Sequence, residues 1–150
     1  MTDDGLMTKF LFLLLILLIS SVHANETADI FMELMNDHRH ALGLSPLIHD
    51  QELAKVAFDH SKAMAKSTVE FGHDGFSFRC SKARKILGGG NWCAENVARG
   101  QKTMLDAFKA WMNSPGHRAN LEQARATHTG LAFATTSGGR LYWTQLFIER

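Results

Sequence analysis

Two cysteines are all that the 150 residues contain, too few for a framework of several disulfides or for a four-thiolate zinc site. Two prolines beside twelve glycines exclude collagen-like repeats and Pro-rich linkers. Charge of one sign is lacking too. With 16 Lys+Arg against 15 Asp+Glu the net charge is +1, so there is no broad basic field for nucleic acid and no acidic tail for solvating a partner. No HExxH, CxxC or GxSxG pattern occurs, so no spacing on its own announces a metalloprotease, a redox dithiol or a nucleophile elbow. What is present is a 45% hydrophobic chain of a size that suits one packed globular domain.

The one long apolar run, FLFLLLILLI at residues 10–19, follows Lys9 and precedes Ser20, Ser21 and the small-residue pattern Val22-His23-Ala24. This reads as a secretory signal peptide over residues 1–24, leaving residues 25–150 as the domain. At helical rise the run spans roughly 20 Å, short of the roughly 30 Å of a bilayer core, so a stable membrane anchor is not expected. Asp3 and Asp4 sit poorly in an n-region that should be positive, whereas Met7 opens the better-formed start MTKFLFLLL, so translation from Met7 is the alternative to Met1. Export to an oxidising compartment predicts a Cys80–Cys93 disulfide across the Gly88-Gly89-Gly90 stretch, the alternative being two separate buried thiols.

Ile30, Phe31, Leu34, Met35, His38 and Leu42 share a helical face, which predicts a first helix over about 28–42 ended by Gly43. Asp50 is a candidate N-cap for a second helix to about Lys66, with Leu53, Val56, Ala57, His60 and Met64 as its buried stripe. His60 then reads as a core histidine. The pattern fails over 67–79, where Gly72 and Gly75 bracket His73 and Asp74, so a loop presenting polar groups is expected, with a short helix over 81–87. Asp74 is expected to cap the turn that follows it. Residues 91–98 look like a strand, yet Glu95 and Asn96 are poor strand formers and so hint at a function. Thr103 and Asp106 form a capping-box pattern opening a third helix with Leu105, Phe108, Trp111 and Met112. Ser114-Pro115-Gly116 ends it, and 117–124 suits a further turn or two. Residues 127–135 and 140–148 read as a β-hairpin turning at Ser137-Gly138-Gly139. Trp92, Trp111, Tyr142 and Trp143 are expected in the core. The economical burial of these stripes is an α+β fold, a three-layer α/β/α sandwich with a central antiparallel sheet.

Five motifs in order, HRHALGLSPL from His38, FGHDGF from Phe71, AENVARG from Ala94, AWMNSPGHRANL from Ala110 and YWTQLF from Tyr142, resemble the CAP superfamily. That group, also called the SCP domain, comprises cysteine-rich secretory, antigen 5 and pathogenesis-related proteins, and the WMNSPGHR form is similar to its bacterial-type branch. The resemblance implies an α-β-α sandwich and a cleft of two histidines and two glutamates. Carried over motif by motif, the histidine positions are His73 and His117 and the first glutamate is Glu95. The second glutamate position, three residues after Trp111, holds Ser114, which weakens any mechanism that needs two carboxylates.

Two neutral imidazoles at His73 and His117 suit Zn²⁺ or another divalent metal, in a site that is open, weaker than a three-ligand one, and lost as imidazoles protonate below about pH 6. Glu95 then serves either to accept from an imidazole N–H or to take a proton from metal-bound water. Asn113 and Asn120 are expected to tie down the turn at His117 through side-chain to backbone hydrogen bonds. Two functions compete. One is a secreted, non-catalytic binding module whose cleft of His73, Glu95, Ser114 and His117 takes a small hydrophobic or lipid ligand, or which acts on an extracellular protein partner. The other is a metal-assisted extracellular hydrolase, a peptidase or esterase. No nucleic-acid partner is expected, and the sequence leaves the oligomeric state and the natural ligand open.

Overall fold

A computed structural model describes residues 28–150 and, apart from them, Lys9. The apolar run at 10–19 and the cleavage site expected after Ala24 lie outside the described residues. Helix α1 occupies 28–41 of the described chain and stops at Gly43, whose φ of 72° is a left-handed conformation that favours glycine. Strand β1 (Ile48–His49) leads directly to α2 (Gln51–Ala65), and the Asp50 carboxylate accepts the Leu53 N–H as its N-cap. Then come α3 (Phe76–Leu87), β2 (Cys93–Arg99), α4 (Met104–Met112), α5 (Pro115–Leu121), β3 (His128–Thr135) and β4 (Leu141–Ile148). At α4 the Thr103 hydroxyl accepts the Asp106 N–H and the Asp106 carboxylate accepts the Thr103 N–H, completing the expected capping box.

The sheet order is β1-β3-β4-β2. β3, β4 and β2 are antiparallel neighbours, with Glu95 opposite Leu146 and Gly130 opposite Leu146 on the other side. The two-residue β1 runs parallel to β3. The sheet is therefore mixed rather than wholly antiparallel, a correction that follows from β1 being too short to leave an alternating pattern in the sequence. The sandwich itself is as expected. On one face, Ala94, Ala98, Leu131, Trp143 and Phe147 pack beneath Phe31 and Met35 of α1, Ala107 and Trp111 of α4, and Leu121 of α5. On the other, Val97, Tyr142, Leu146 and Ile148 meet α2 through Leu53, Val56, Ala57 and Met64, and α3 through Ala83 and Leu87. Trp111, Trp143 and Tyr142 are buried and Trp92 is half-buried against the first cluster, in line with their expected core role.

Two further devices fix the layers. Cys80 of α3 is disulfide-bonded to Cys93 at the start of β2, with Cα atoms 6.1 Å apart, which ties helix to edge strand across the glycine triplet and contributes roughly 3 kcal/mol. Arg39, fully buried, donates from Nε to the Ser45 carbonyl at 2.8 Å and from Nη1 to those of Leu121 and Gln123 at 2.8 and 3.0 Å. Four-part polar satisfaction is completed by Nη2 and the Ala126 carbonyl. A buried cation without a carboxylate is tolerated here because backbone oxygens, including the last of α5, solvate it. Burial holds its pKa below the usual guanidinium value without threatening its charge.

Gly130 is where β3 and α2 touch most closely. A Cβ there would lie 2.3 Å from the Leu53 carbonyl carbon and 2.4 Å from the Ala54 nitrogen, both backbone atoms that cannot rotate aside. Gly130→Ala should lower stability in urea by at least about 1–3 kcal/mol. Gly138→Ala, in the hairpin turn with no atom nearer than 3.9 Å to the new methyl, should unfold like the parent. Equal midpoints for the two variants would contradict this packing.

Candidate functional site

The alternation of a strand places consecutive side chains on opposite faces, and β2 uses this to divide the site. Glu95 faces α2 and α3, and its side chain is 1% exposed. An isolated carboxylate at that depth is unfavourable, so its partners decide its state. Arg79 of α3 supplies a fork: Nε donates to Oε2 at 2.6 Å and Nη2 to Oε1 at 2.8 Å. His73 Nδ1 lies 2.9 Å from Oε1. Because a carboxylate engaged by a guanidinium only accepts, the ring proton belongs on Nδ1, and Nε2 of His73 is left with a free lone pair on a half-exposed side chain.

The loop carrying His73 is held from below. His60 Nε2 is 2.8 Å from the Gly72 carbonyl, and a ring N–H donating there fixes the loop just before His73. His60 is buried, as its place on the α2 stripe predicts, but it also stands 3.9 Å from Glu95 Oε1. Burial pushes the His60 pKa down, opposed by the hydrogen bond to Gly72 and the Glu95 charge. The loop ends earlier than the sequence suggests: α3 begins at Phe76, not near 81. Its N-cap is Gly75 with φ 73° and no side-chain cap bond, so Asp74 is not the cap. Instead the Asp74 carbonyl accepts from Arg79 Nη1 at 2.6 Å. Starting the helix at 76 is what puts Arg79 in line with Ala83 and Leu87 on its buried face.

Asn96, next along β2, faces α5. Its Nδ2 donates to the His117 carbonyl at 3.0 Å and its Oδ1 accepts from Asn120 Nδ2 at 2.9 Å. Asn120 thus reaches the strand rather than the local turn, while Asn113 is the C-cap of α4 through its backbone N–H. Arg118 pairs with Glu122 at 3.0 Å. Trp111 Nε1 donates to the Val97 carbonyl at 3.0 Å, so α4 and α5 cover the outer edge of β2. Ser114 is the N-cap of α5 without a side-chain cap bond, and with His117 it lines a cavity of about 320 Å³ walled by Val97, Ala98 and Trp111. His73 and Glu95 line a second cavity of about 230 Å³ with Phe76 and Asn120.

His73 and Glu95 therefore meet directly, Ser114 and His117 share a neighbouring cavity, and no hydrogen bond joins the two pairs among the described residues. They do share an electrostatic field. The His117 pKa is lowered, first by burial and then by charge on His73. Among the described residues no three His, Cys, Asp or Glu side chains converge as a cation site. Arg79 is the residue that the sequence reading missed, although its spacing of four and eight from Ala83 and Leu87 marks it as a buried cation in need of an acid.

Arg79→Met should cost about 3–5 kcal/mol in chemical denaturation, because Glu95 is left buried without its countercharge, and Arg79→Met/Glu95→Met should recover most of that loss. A single variant as stable as the parent would contradict the clamp. Burial also lowers the pKa of His49, His117 and His128 as well as His60. With the folded pKa values depressed, the unfolded chain takes protons first, so stability is complete above pH 6.5, the ordinary imidazole value, and falls as pH drops below it. The thermal midpoint should decrease from pH 7.5 to pH 5 on roughly this scale, with a shallower decrease in His60→Gln. A midpoint that rises on acidification would refute the assignment.

The comparisons with known proteins agree with this architecture. Residues 32–147 match the model of the Cysteine-rich secretory protein family, CAP. The Bacillus subtilis (strain 168) protein YkwD is 38% identical over 135 residues, 87% of this chain and 49% of YkwD. An extracellular protein containing a SCP domain from Bacillus anthracis superposes with a TM-score of 0.67 at 29% identity, over 81% of this chain and 40% of that one. A cysteine-rich secretory protein from Staphylococcus aureus gives a TM-score of 0.62 at 25% identity, over 85% and 39% of the two chains. The chain thus spans about half the length of YkwD and less of the two solved structures. Among the described residues no helix is long and apolar enough to cross a membrane. With the family model spanning most of the chain and the α-β-α layers in place, the protein belongs to the cysteine-rich secretory protein, or CAP, family.

Proposed function

We propose that the domain is an extracellular binding module, exported by the apolar leader read at residues 1–24, whose ligand site is built on His73 and His117. The observation that carries this reading is the state of Glu95. Its carboxylate is 1% exposed and accepts from Arg79 twice and from His73 once, so it orients an imidazole and is largely taken up by fixed donors. The same clamp weighs against the hydrolase, which needs a carboxylate free to take a proton from an attacking water, and the second glutamate position that the family resemblance implies holds Ser114. The binding reading is further supported by a cavity of about 320 Å³ beside His117 whose lining mixes the apolar Val97, Ala110 and Trp111 with the polar Arg99, Gln101 and Ser114, within the roughly 300–1,000 Å³ typical of small-ligand pockets. A small ligand with an apolar portion suits it, and an extracellular protein presenting such a group is the corresponding macromolecular partner.

A divalent ion such as Zn²⁺ would have to draw on two imidazoles that line neighbouring cavities, His73 through its Nε2 and His117, with no carboxylate to add. When bound it would supply a polarising charge at the mouth of the cleft. Titrating Zn²⁺ into the protein at pH 7.5 by calorimetry should give weak, single-site binding that is lost in His73→Ala/His117→Ala and weakened at pH 5.5. Identical isotherms for parent and double variant would remove the metal from the account. Turnover of peptide or ester substrates that is chelator-sensitive and abolished by Glu95→Gln would overturn the non-catalytic reading.

A further inference from the structure

The cavity beside His117 is lined by a cation, Arg99, that has no anionic partner among the described residues. Arg99, the last residue of β2, makes no ion pair or hydrogen bond with its side chain among the described residues, although its guanidinium carbon sits 4.7 Å from the centre of the Phe71 ring. Phe71 is itself held by an edge-on contact with Tyr142 at 6.2 Å. Stacking of this kind fixes the plane of a guanidinium and leaves its edge N–H groups free to meet a planar anion. Arg99, Phe71, Ser114 and His117 all line the same cavity, and no Asp or Glu does.

Two more groups in that cavity lack partners. Gln101 Oε1 is buried without a hydrogen bond to protein, so a donor entering the cavity would offset the cost of its burial. The Ser114 hydroxyl makes no cap bond to α5 and is free to donate. An unpaired guanidinium asks for an oxyanion, an orphaned amide oxygen asks for an N–H or O–H, and Val97, Ala110 and Trp111 ask for a small apolar group. A peptide C-terminus offers the three together, as carboxylate, last amide N–H and side chain.

Resting on the binding-module reading of this cleft and naming its ligand class, we propose that the His117 cavity captures the free C-terminal carboxylate of a small-residue peptide. Arg99 and Ser114 hold the carboxylate, and Gln101 accepts the terminal amide N–H. Where the family pattern has a carboxylate at position 114, the Ser114 hydroxyl removes the charge that would repel such a ligand.

The test titrates N-acetyl-Ala-Ala, its C-terminal amide and inorganic phosphate into the full chain at pH 7.5 with a chelator present, followed by NMR shifts or calorimetry. Because no metal takes part, a failed Zn²⁺ experiment leaves this test intact, and failure here leaves the Zn²⁺ result standing. The free acid is expected to bind with at least about tenfold preference over the amide. Arg99→Gln should reduce that affinity by at least about tenfold, and Gln101→Leu should reduce it with the acid-over-amide preference retained. Arg99 is exposed, so its variant keeps the fold. Equal binding of acid and amide, no effect of Arg99→Gln, no binding of the free acid, or displacement of nothing but phosphate would each overturn the proposal.

Discussion

A carboxylate taken fully out of water on an edge strand is the constraint around which this half of the molecule is arranged. Glu95 is stable at that depth only while a guanidinium faces it, and Arg79 reaches it only if α3 starts at Phe76 with Gly75 in a left-handed turn. The disulfide from Cys80, one residue beyond Arg79, to Cys93, two before Glu95, holds the same pair of elements together covalently. His60, rising from α2, then fixes Gly72 and so the approach of His73 to Glu95. Loop, helix and strand are three consequences of one buried charge.

β2 shows how a strand serves two layers at once. Its odd residues Glu95 and Val97 face α2 and α3, and Asn96 between them ties down α5 at the His117 carbonyl. Its outer edge is closed by Trp111, whose indole N–H meets the Val97 carbonyl. Arg39 secures the far end of α5 by solvating the Leu121 carbonyl. The cavity of Ser114 and His117 is consequently bounded on both sides by anchored elements, which suits a site that must meet its ligand preformed.

Much of this was legible in the chain. The Asp50 cap, the Thr103–Asp106 box, the hairpin and the buried stripe of α2 each rest on a local rule, and local rules survive folding when tertiary packing agrees with them. Glu95 and Asn96 stood out because they break strand propensity, and both prove to be the polar contacts of β2. What could not be read depends on distant partners. β1 has two residues and no period of its own. Arg79 shares a helical face with Ala83 and Leu87, but the acid it needs there, Glu95, lies on a separate strand, and Asp74 looks like a cap until Gly75 takes that role. The separation of the expected cleft into two cavities, one with His73 and one with His117, is set by packing across β2 and leaves no trace in spacing.

The central claim is that Glu95, clamped by Arg79, fixes the tautomer of His73 so that its Nε2 lone pair points outward. Long-range ¹H–¹⁵N correlation of the histidine rings at neutral pH reads this directly. A His73 ring protonated on Nδ1 with an unprotonated Nε2 is expected, with loss of that preference in Glu95→Gln. A His73 ring carrying its proton on Nε2 in the parent protein would contradict it.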